Sequence, residues 1–167
     1  MMARMVIVMG VAASGKTTVG EALAERMHCP FQEGDALHPP ENIARMRAGH
    51  PLTDADRWPW LDRVAQWMQA HERGVISCSA LKRSYRDRLR IAAPTMALVF
   101  LDPAPAELRR RIANRPEHFM PASLLDSQLA TLEPPQADEV ALRLDEKDPL
   151  EDQLDRVCAW LEALPER

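Results

Sequence analysis

Apolar residues recur along the chain in two alternating patterns. Short runs of consecutive apolar residues, of which Met5–Met9 is the first, are typical of strands buried on both faces of a sheet. Longer stretches with apolar residues three and four positions apart are typical of helices packed on such a sheet. The alternation predicts an α/β fold in which a parallel sheet lies between layers of helices. The predicted strands are 5–9, 30–35, 74–79, 96–101 and 140–144, and the predicted helices are 18–27, 60–71, 80–90, 106–114, 121–129 and 150–161.

The region from 38 to 67 follows neither pattern for long. Proline and glycine separate short helical pieces there, which indicates a folded part of the domain and not a linker. Asp56 or a neighbour is predicted to cap the helix that follows. Because Trp60, Val64 and Trp67 have helical spacing, we interpret them as core residues and not as ligands of a substrate.

Composition limits the number of domains and the kinds of partner. With 167 residues, 46% of them hydrophobic, we expect a single domain, 1–167, with one core. The formal charge of −4 gives no general attraction to nucleic acid or to an anionic membrane, so neither is predicted as a partner. The apolar run Met5–Met9 is also too short to span a membrane.

Cysteine usage indicates a reducing compartment. The three cysteines, Cys29, Cys78 and Cys158, are far apart, odd in number and outside any C-x-x-C spacing. This pattern favours neither a disulfide framework nor a zinc site. We therefore predict a cytoplasmic protein.

A phosphate-binding motif directly follows the first predicted strand. Its glycines allow backbone N–H groups to surround a phosphate, while the next helix directs the positive end of its dipole at the same anion. Lys16 is expected to meet the β- and γ-phosphates of a nucleotide, and the Thr17 hydroxyl to hold Mg²⁺. The strand, loop and helix order favours this interpretation over a chance match. The predicted ATP-binding residues of this segment are Gly10, Val11, Ala12, Ala13, Ser14, Gly15, Lys16, Thr17 and Thr18, the first eight of which fit G-x-x-x-x-G-K-[ST].

The end of the second predicted strand brings acidic residues to the same edge of the sheet. Open α/β folds bind ligands at this edge. Asp35 is a candidate to accept a proton from an attacking hydroxyl, or to orient it, and to touch the water shell of the metal. The alternative is a solvated turn aspartate beside Gly34. The third strand ends without an aspartate, so the metal would depend on Asp35 or on water.

Basic residues supply candidates for binding anions. Guanidinium and imidazole groups in the 38–67 region suit an anionic or polyhydroxyl substrate. A basic helix after the third strand has its first residues near the carboxyl edge of the sheet, although a charged outer helix face is the alternative. The candidates are His38, Arg45 and Arg57 in the first region, and Lys82, Arg83 and Arg86 in the second.

Four arginines, Arg109, Arg110, Arg111 and Arg115, lie on and just after the predicted helix 106–114. Guanidinium groups bind phosphate oxygens and stack on purines, so these residues suit a cover over a triphosphate. A solvated basic helix face is the alternative. The segment from about 115 to 132 is predicted to be a lid that closes over the nucleotide.

Several blocks beyond the phosphate loop resemble the gluconate kinases, part of the small P-loop kinase group that also contains shikimate and nucleoside monophosphate kinases. The resemblance runs nearly end to end. Its blocks are Gly34-Asp35-Ala36-Leu37-His38-Pro39, Asn42-Ile43-Ala44-Arg45-Met46, Pro51-Leu52-Thr53-Asp54-Ala55-Asp56-Arg57-Trp58-Pro59-Trp60-Leu61, Cys78-Ser79-Ala80-Leu81-Lys82 with Tyr85-Arg86-Asp87, and His118-Phe119 followed by Leu124-Leu125 and Ser127-Gln128.

The resemblance implies a three-layer P-loop kinase fold, with a five-stranded parallel sheet flanked by helices, a substrate-binding insertion at about 36–72 and a small lid. It implies ATP- and Mg²⁺-dependent phosphorylation of D-gluconate at its 6-hydroxyl, and a homodimer. Lys16 and Thr17 would hold phosphate and Mg²⁺, and Asp35 would face the hydroxyl. Arg111 and Arg115 would belong to the nucleotide side and the lid. The resemblance does not indicate which residue of the gluconate pocket holds the carboxylate. The candidates for that pocket are His38, Arg45, Arg57, Lys82 and Arg86.

Two alternatives to this function remain open at the level of sequence. One is a different small-molecule kinase, for shikimate or a nucleoside monophosphate, and the other is a nucleotide sensor without catalysis. The sequence also departs from the family, because Ala12 and Ala13 replace the inner Ser-Gly that its loop commonly carries. An alanine at position 13 adopts left-handed geometry only with strain.

Overall fold

The computed structural model describes residues 4–114, 122–144 and 147–165. Within them, five parallel strands form one sheet in the order β2-β3-β1-β4-β5. The predicted five-stranded parallel sheet is confirmed. The strands are β1 (Met5–Met9), β2 (Phe31–Glu33), β3 (Gly74–Ser77), β4 (Ala97–Leu101) and β5 (Ala141–Leu144).

Helices cover both faces of this sheet, as the sequence pattern predicts. Most boundaries fall within a few residues of the expected ones. The helix expected at 80–90 begins later, at Arg83, because Ala80 has a positive φ of 47° that no helix accommodates. The helices are α1 (Lys16–Met27), α2 (Pro40–Arg47), α3 (Asp54–Gln69), α4 (Arg83–Ala92), α5 (Pro105–Ala113), α6 (Ala122–Thr131) and α7 (Leu150–Ala163).

The central strand β1 contributes to two separate apolar clusters. Its side chains alternate, so Ile7 points to one face of the sheet and Val8 to the other, and both are fully buried. The Ile7 face packs against α3 and α4, whereas the Val8 face packs against α1 and α7. Burial on both faces fixes the end of β1, where the phosphate loop begins.

The helix α3 begins at Asp54, before the first of its expected core residues, Trp60. Thr53 Oγ1 accepts a hydrogen bond from the backbone N–H of Asp56, and Asp56 Oδ2 accepts one from the backbone N–H of Thr53. This reciprocal capping box adds a first turn to the helix. The cap, expected at Asp56 or a neighbour, is therefore Thr53, and Asp56 is its partner.

The close packing of β2 against β3 depends on Gly34. A Cβ atom at this position would lie 1.9 Å from the carbonyl oxygen of Ser77, so no larger residue fits. Trp60 Nε1 donates a hydrogen bond of 2.9 Å to the Gly34 carbonyl. Residues 34–37 form a 3₁₀ turn instead of extending β2 to Asp35 as predicted. Glu33 and Asp35 are consequently fixed on either side of a rigid glycine.

A buried ion pair joins α4 to the segment that precedes β5. The Arg86 side chain is fully buried and donates from Nε and Nη2 to the two carboxylate oxygens of Glu139, at 2.8 and 3.1 Å. Arg86 Nη1 also donates to the carbonyl of Ala80 at 2.8 Å. Burial raises the pKa of Glu139, but hydrogen bonds from Arg86, Gln136 N and Arg90 outweigh it, so the pKa is lowered. Arg86 therefore has a structural partner inside the protein.

All three cysteines are free thiols. Burial raises the pKa of Cys78 to about 12, so this thiol stays protonated. Across the described ranges, none of the helices has the length and apolar character that crossing a membrane requires.

Candidate active site

The phosphate loop turns around the carboxyl end of β1 and leads into the first residue of α1. Gly15 has a φ of 94° and immediately precedes Lys16, where the helix begins. Gly10 has a φ of 150°, and a Cβ there would lie 2.7 Å from Ser14 Oγ and 2.8 Å from the carbonyl oxygen of Leu101. Both glycines of the motif are thus required by the backbone itself.

Ala13 adopts the left-handed conformation that its sequence position requires, with a φ of 66°. This geometry costs an alanine roughly 1–2 kcal/mol. Arg111 on α5 donates from Nη1 to the carbonyl of Ala13 at 3.0 Å. The backbone N–H of Ala12 donates to Oε1 of Gln128 on α6 at 2.8 Å. Side chains from two helices therefore hold the strained part of the loop.

Lys16 lies under the loop and points into the cleft beside it. Its Nζ donates to the carbonyl of Val11 at 2.9 Å. Burial lowers the pKa of Lys16, and the nearby carboxylates of Asp35 and Glu33 only partly offset this shift. This places one cation where the loop would hold phosphate.

Glu33 completes the acidic side of the cleft. Thr17 Oγ1 donates to Glu33 Oε2, and Ser77 Oγ donates to Glu33 Oε1 at 2.6 Å. The sequence pattern predicts a role for Asp35 but none for Glu33, which is the last residue of β2. Within the described residues no three His, Cys, Asp or Glu side chains gather as a metal cage. A hydroxyl with one or two carboxylates matches the oxygen donors that Mg²⁺ uses together with substrate phosphates.

His38 forms the wall of the cleft opposite the loop. Its ring stacks on Trp60 at 4.2 Å between centroids, and its Nε2 is 3.9 Å from Asp35 Oδ1. Asn42 Nδ2 lies 3.2 Å from His38 Nδ1 and also donates to the Asp56 carbonyl at 2.9 Å. An amide NH₂ can only donate, so Nδ1 is an acceptor and the proton of a neutral ring sits on Nε2. Nε2–H is then a donor beside Asp35.

The charge state of His38 follows from its surroundings. Burial, with a smaller contribution from the Arg57 guanidinium, lowers its pKa to about 4. The imidazole is neutral at pH 7. It therefore offers a hydrogen bond to a substrate without adding a charge.

Arg57 supplies the positive charge of the same wall. Its side chain is 7% exposed, and Nη1 donates to the Tyr85 hydroxyl at 3.0 Å. The Tyr85 hydroxyl in turn donates to Asp54 Oδ1. This chain of hydrogen bonds fixes the direction of a guanidinium that lines the cleft.

Three other predicted substrate residues lie away from the cleft. Arg45 is more than half exposed and 3.8 Å from Asp56. Lys82 Nζ pairs with Asp54 Oδ1 at 3.1 Å, and Arg86 is buried against Glu139. Arg83 likewise pairs with Asp87 and Asp138 on the surface. Apart from Asp87, which lies one helical turn from Arg83, these partners belong to other elements of the fold, so the sequence could not reveal them.

The cleft joins the phosphate loop, the end of β2 and the helices α2, α3 and α6. It brings together Lys16, Thr17, Asp35, His38 and Arg57, all of which the sequence predicts. Trp60, which we interpreted as core, is buried and also faces the cleft. The full lining is Ala12, Ala13, Gly15, Lys16, Thr17, Thr18, Glu33, Asp35, His38, Met46, Pro51, Leu52, Arg57, Trp60, Ser79, Leu81, Leu124, Ser127 and Gln128.

A second cavity opens on the other side of the phosphate loop. Thr18 and Gly15 belong to both cavities, so the loop separates them. Arg111 lines the second cavity, whereas the predicted Arg115 lies outside the described residues. Ser14 Oγ is buried without a hydrogen-bond partner among the described residues. The lining is Ser14, Gly15, Thr18, Val19, Leu101, Asp102, Pro103, Arg111, Leu144, Asp148, Leu150 and Gln153.

The described part of the predicted lid is the helix α6. Leu125 is fully buried in the main core, and Leu124 packs in a small cluster with Ala12 and Met46. Residues 115–121 of the predicted lid lie outside the described residues. The helix is thus a packed wall of the cleft that reaches both the loop and α2.

Comparison with known proteins identifies the family. A family model described as an AAA domain matches residues 5–135. A gluconokinase of Gluconobacter oxydans (strain 621H) is 52% identical over 151 residues, which cover 87% of this chain and 85% of that protein. The solved structure of a gluconokinase from Sinorhizobium meliloti 1021 has a TM-score of 0.88 at 50% identity, covering 96% of this chain and 92% of that chain. A shikimate kinase structure from Bacteroides thetaiotaomicron, with a TM-score of 0.67 at 19% identity over 95% of this chain and 98% of that chain, shares the fold. With this cleft and these relatives, the chain belongs to the gluconokinase family of P-loop kinases.

Proposed function

We propose that this kinase transfers the γ-phosphoryl group of MgATP to the 6-hydroxyl of D-gluconate, giving 6-phosphogluconate and ADP. The observation that carries the proposal is one cleft that joins a phosphate loop with Lys16 to a wall holding Asp35, His38 and Arg57. The name of the Gluconobacter oxydans relative, at 52% identity, supports gluconate as the acceptor. A nucleotide sensor would need no such acceptor wall.

The nucleotide is proposed to bind across the phosphate loop. Its phosphates would lie at the loop and the start of α1, with Lys16 beside the β- and γ-phosphates. Its nucleoside would occupy the second cavity, next to Arg111. Mg²⁺ would be held by Thr17 Oγ1 with the Glu33 and Asp35 carboxylates nearby, and it would offset charge on the phosphate oxygens.

The acceptor is proposed to lie between Asp35 and Arg57. Asp35 would orient the 6-hydroxyl and accept its proton as the oxygen attacks. Arg57 is a buried guanidinium fixed by Tyr85, so it is the best-placed group for the carboxylate at the other end of gluconate. Nε2–H of the neutral His38 would donate to a hydroxyl between the two ends.

A different small-molecule kinase is the competing proposal. The fold alone does not separate the two, because the shikimate kinase structure resembles this one at 19% identity. Gluconokinase relatives at far higher identity favour the first proposal.

The test is ADP release measured with gluconate, other sugar acids, shikimate and nucleoside monophosphates, for the wild type and Asp35→Asn. We expect turnover with gluconate, and a loss of about 10²- to 10⁴-fold in kcat in the variant, because the amide cannot accept the proton. Asp62→Asn is the matched control, since Asp62 pairs with Arg88 at the surface. Preference for another acceptor, or full activity of Asp35→Asn at saturating substrates, would reject the proposal.

Location and assembly are proposed from cysteine usage and from the family resemblance. Three free thiols suit a reducing compartment, so we propose the cytoplasm. A homodimer is proposed from the family resemblance alone, and sedimentation of the purified protein tests it.

A further inference from the structure

Two helices, α5 and α6, hold the phosphate loop from outside. Gln128 on α6 accepts the hydrogen bond from Ala12 N at 2.8 Å, and Arg111 on α5 donates to Ala13 O at 3.0 Å. Gln128 also lines the acceptor cleft, and Arg111 lines the second cavity. The loop is therefore connected directly to both walls.

These contacts fix two peptide units of the loop. The unit between Val11 and Ala12 is held at its oxygen by Lys16 Nζ at 2.9 Å and by Ser14 N at 3.3 Å. Its N–H is held by Gln128. The unit between Ala13 and Ser14 is held at its oxygen by Arg111 and at its N–H by the Val11 carbonyl. The peptide unit between Ala12 and Ala13 thus lies between two fixed neighbours.

The restraint matters because Ala13 has a φ of 66°. An alanine prefers negative φ, and rotation of the intervening peptide unit would relieve the strain if the neighbouring units were free. Ala12 is also only 6% exposed, and a buried N–H is stable only with an acceptor. Gln128 supplies that acceptor from another element.

We propose that Gln128 is a positioning residue, which keeps the phosphate loop in its nucleotide-binding conformation by holding the Ala12 N–H against the strain at Ala13. It acts through the loop backbone and takes no part in the transfer of phosphate. The inference rests on the proposed function only in taking this loop as the nucleotide site. It assigns α6 a role in nucleotide binding as well as in the acceptor cleft.

The test is a double-mutant cycle between positions 128 and 13, read as the dissociation constant of MgADP by calorimetry. Gln128→Met keeps the length of the side chain and removes the carbonyl. With Ala13 present, we expect Gln128→Met to raise the dissociation constant of MgADP by about 5- to 30-fold, because the nucleotide-binding conformation of the loop becomes the minor one. In an Ala13→Gly background the same substitution should raise the dissociation constant about twofold or less, because glycine adopts left-handed geometry readily. Asp126→Asn, on the exposed face of α6, is the control and should change nothing.

The outcomes separate this inference from the proposed function. If the wild type fails to bind MgADP, the proposed function is wrong. If the wild type binds and Gln128→Met has no effect, or has the same effect in both backgrounds, the inference alone is wrong. Melting temperatures without ligand show whether each variant folds. Should Gln128→Met not fold, hydrogen exchange of the Ala12 amide in the wild type decides, since exchange as fast as in exposed loops would overturn the proposal.

Discussion

At the scale of single residues, the cleft depends on groups whose properties are set by their neighbours. His38 shows this most clearly, because Trp60 covers its ring, Asn42 fixes its tautomer and Arg57 adds a nearby positive charge. Its position beside Gly34 and Asp35 could be read from the sequence. Its lowered pKa could not, since burial and the Arg57 guanidinium on α3 cause it, and both depend on packing.

The first prediction concerns stability against pH. His38 is protonated below about pH 6.5 in the unfolded chain but only below about pH 4 in the folded protein. The unfolded state therefore binds more protons between these values, and His38 should remove on the order of 3 kcal/mol of stability as the pH falls from 6.5 to 4. Urea unfolding of the wild type and His38→Asn at several pH values measures the difference. His50→Asn, at an exposed position, is the control. If the difference in free energy of unfolding between the wild type and His38→Asn does not change with pH, the prediction is wrong.

At the scale of elements, α6 is packed against the rest of the molecule in the conformation that the structure shows. Leu125 is fully buried, and the chain after the helix is tied down where Glu133 N donates to the Leu81 carbonyl at 2.7 Å. A segment with such contacts opens less readily than an exposed loop.

The second prediction is that α6 is protected from hydrogen exchange before any ligand binds. Its amides should exchange at rates close to those of α4, and nucleotide with gluconate should slow them only slightly. Leu125→Ala should speed this exchange and lower the free energy of unfolding by about 2–5 kcal/mol, because it leaves a cavity in the core. Ala130→Ser, at an exposed position on the same helix, should do neither. Hydrogen exchange in wild-type α6 as fast as in exposed loops would contradict this prediction and support a mobile lid.

At the scale of the whole molecule, the Arg86–Glu139 pair joins parts of the chain 53 residues apart. It connects α4 and the turn at Ala80 to the segment leading into β5, the last strand of the sheet. Arg90 adds a bond of 2.9 Å to the same carboxylate. Charges buried in this way stabilise the fold only while both partners are present.

The third prediction follows from that requirement. Glu139→Gln should lower the free energy of unfolding by about 3–5 kcal/mol, because it leaves the Arg86 guanidinium buried without a counter-charge. Asp62→Asn breaks the exposed pair with Arg88 and should cost about 1 kcal/mol or less. Urea unfolding monitored by circular dichroism measures both. Equal effects of the two substitutions would show that the buried pair has no special role.

The sequence by itself determined the succession of strands and helices along the chain, the position of the phosphate loop and the family resemblance. Each of these depends on local spacing, such as the run Met5–Met9 or the motif around Lys16, which needs no knowledge of distant residues. Asp35, His38 and Arg57 were found in the same way, since they lie in blocks with a recognisable pattern. Only the tertiary structure decided which distant residues form pairs. Arg86 pairs with Glu139, and Gln128 accepts a hydrogen bond from Ala12 N. The Glu33 carboxylate accepts hydrogen bonds from Thr17 and Ser77. Those partners are separated by 16 to 116 residues, and packing, not local pattern, brings them together.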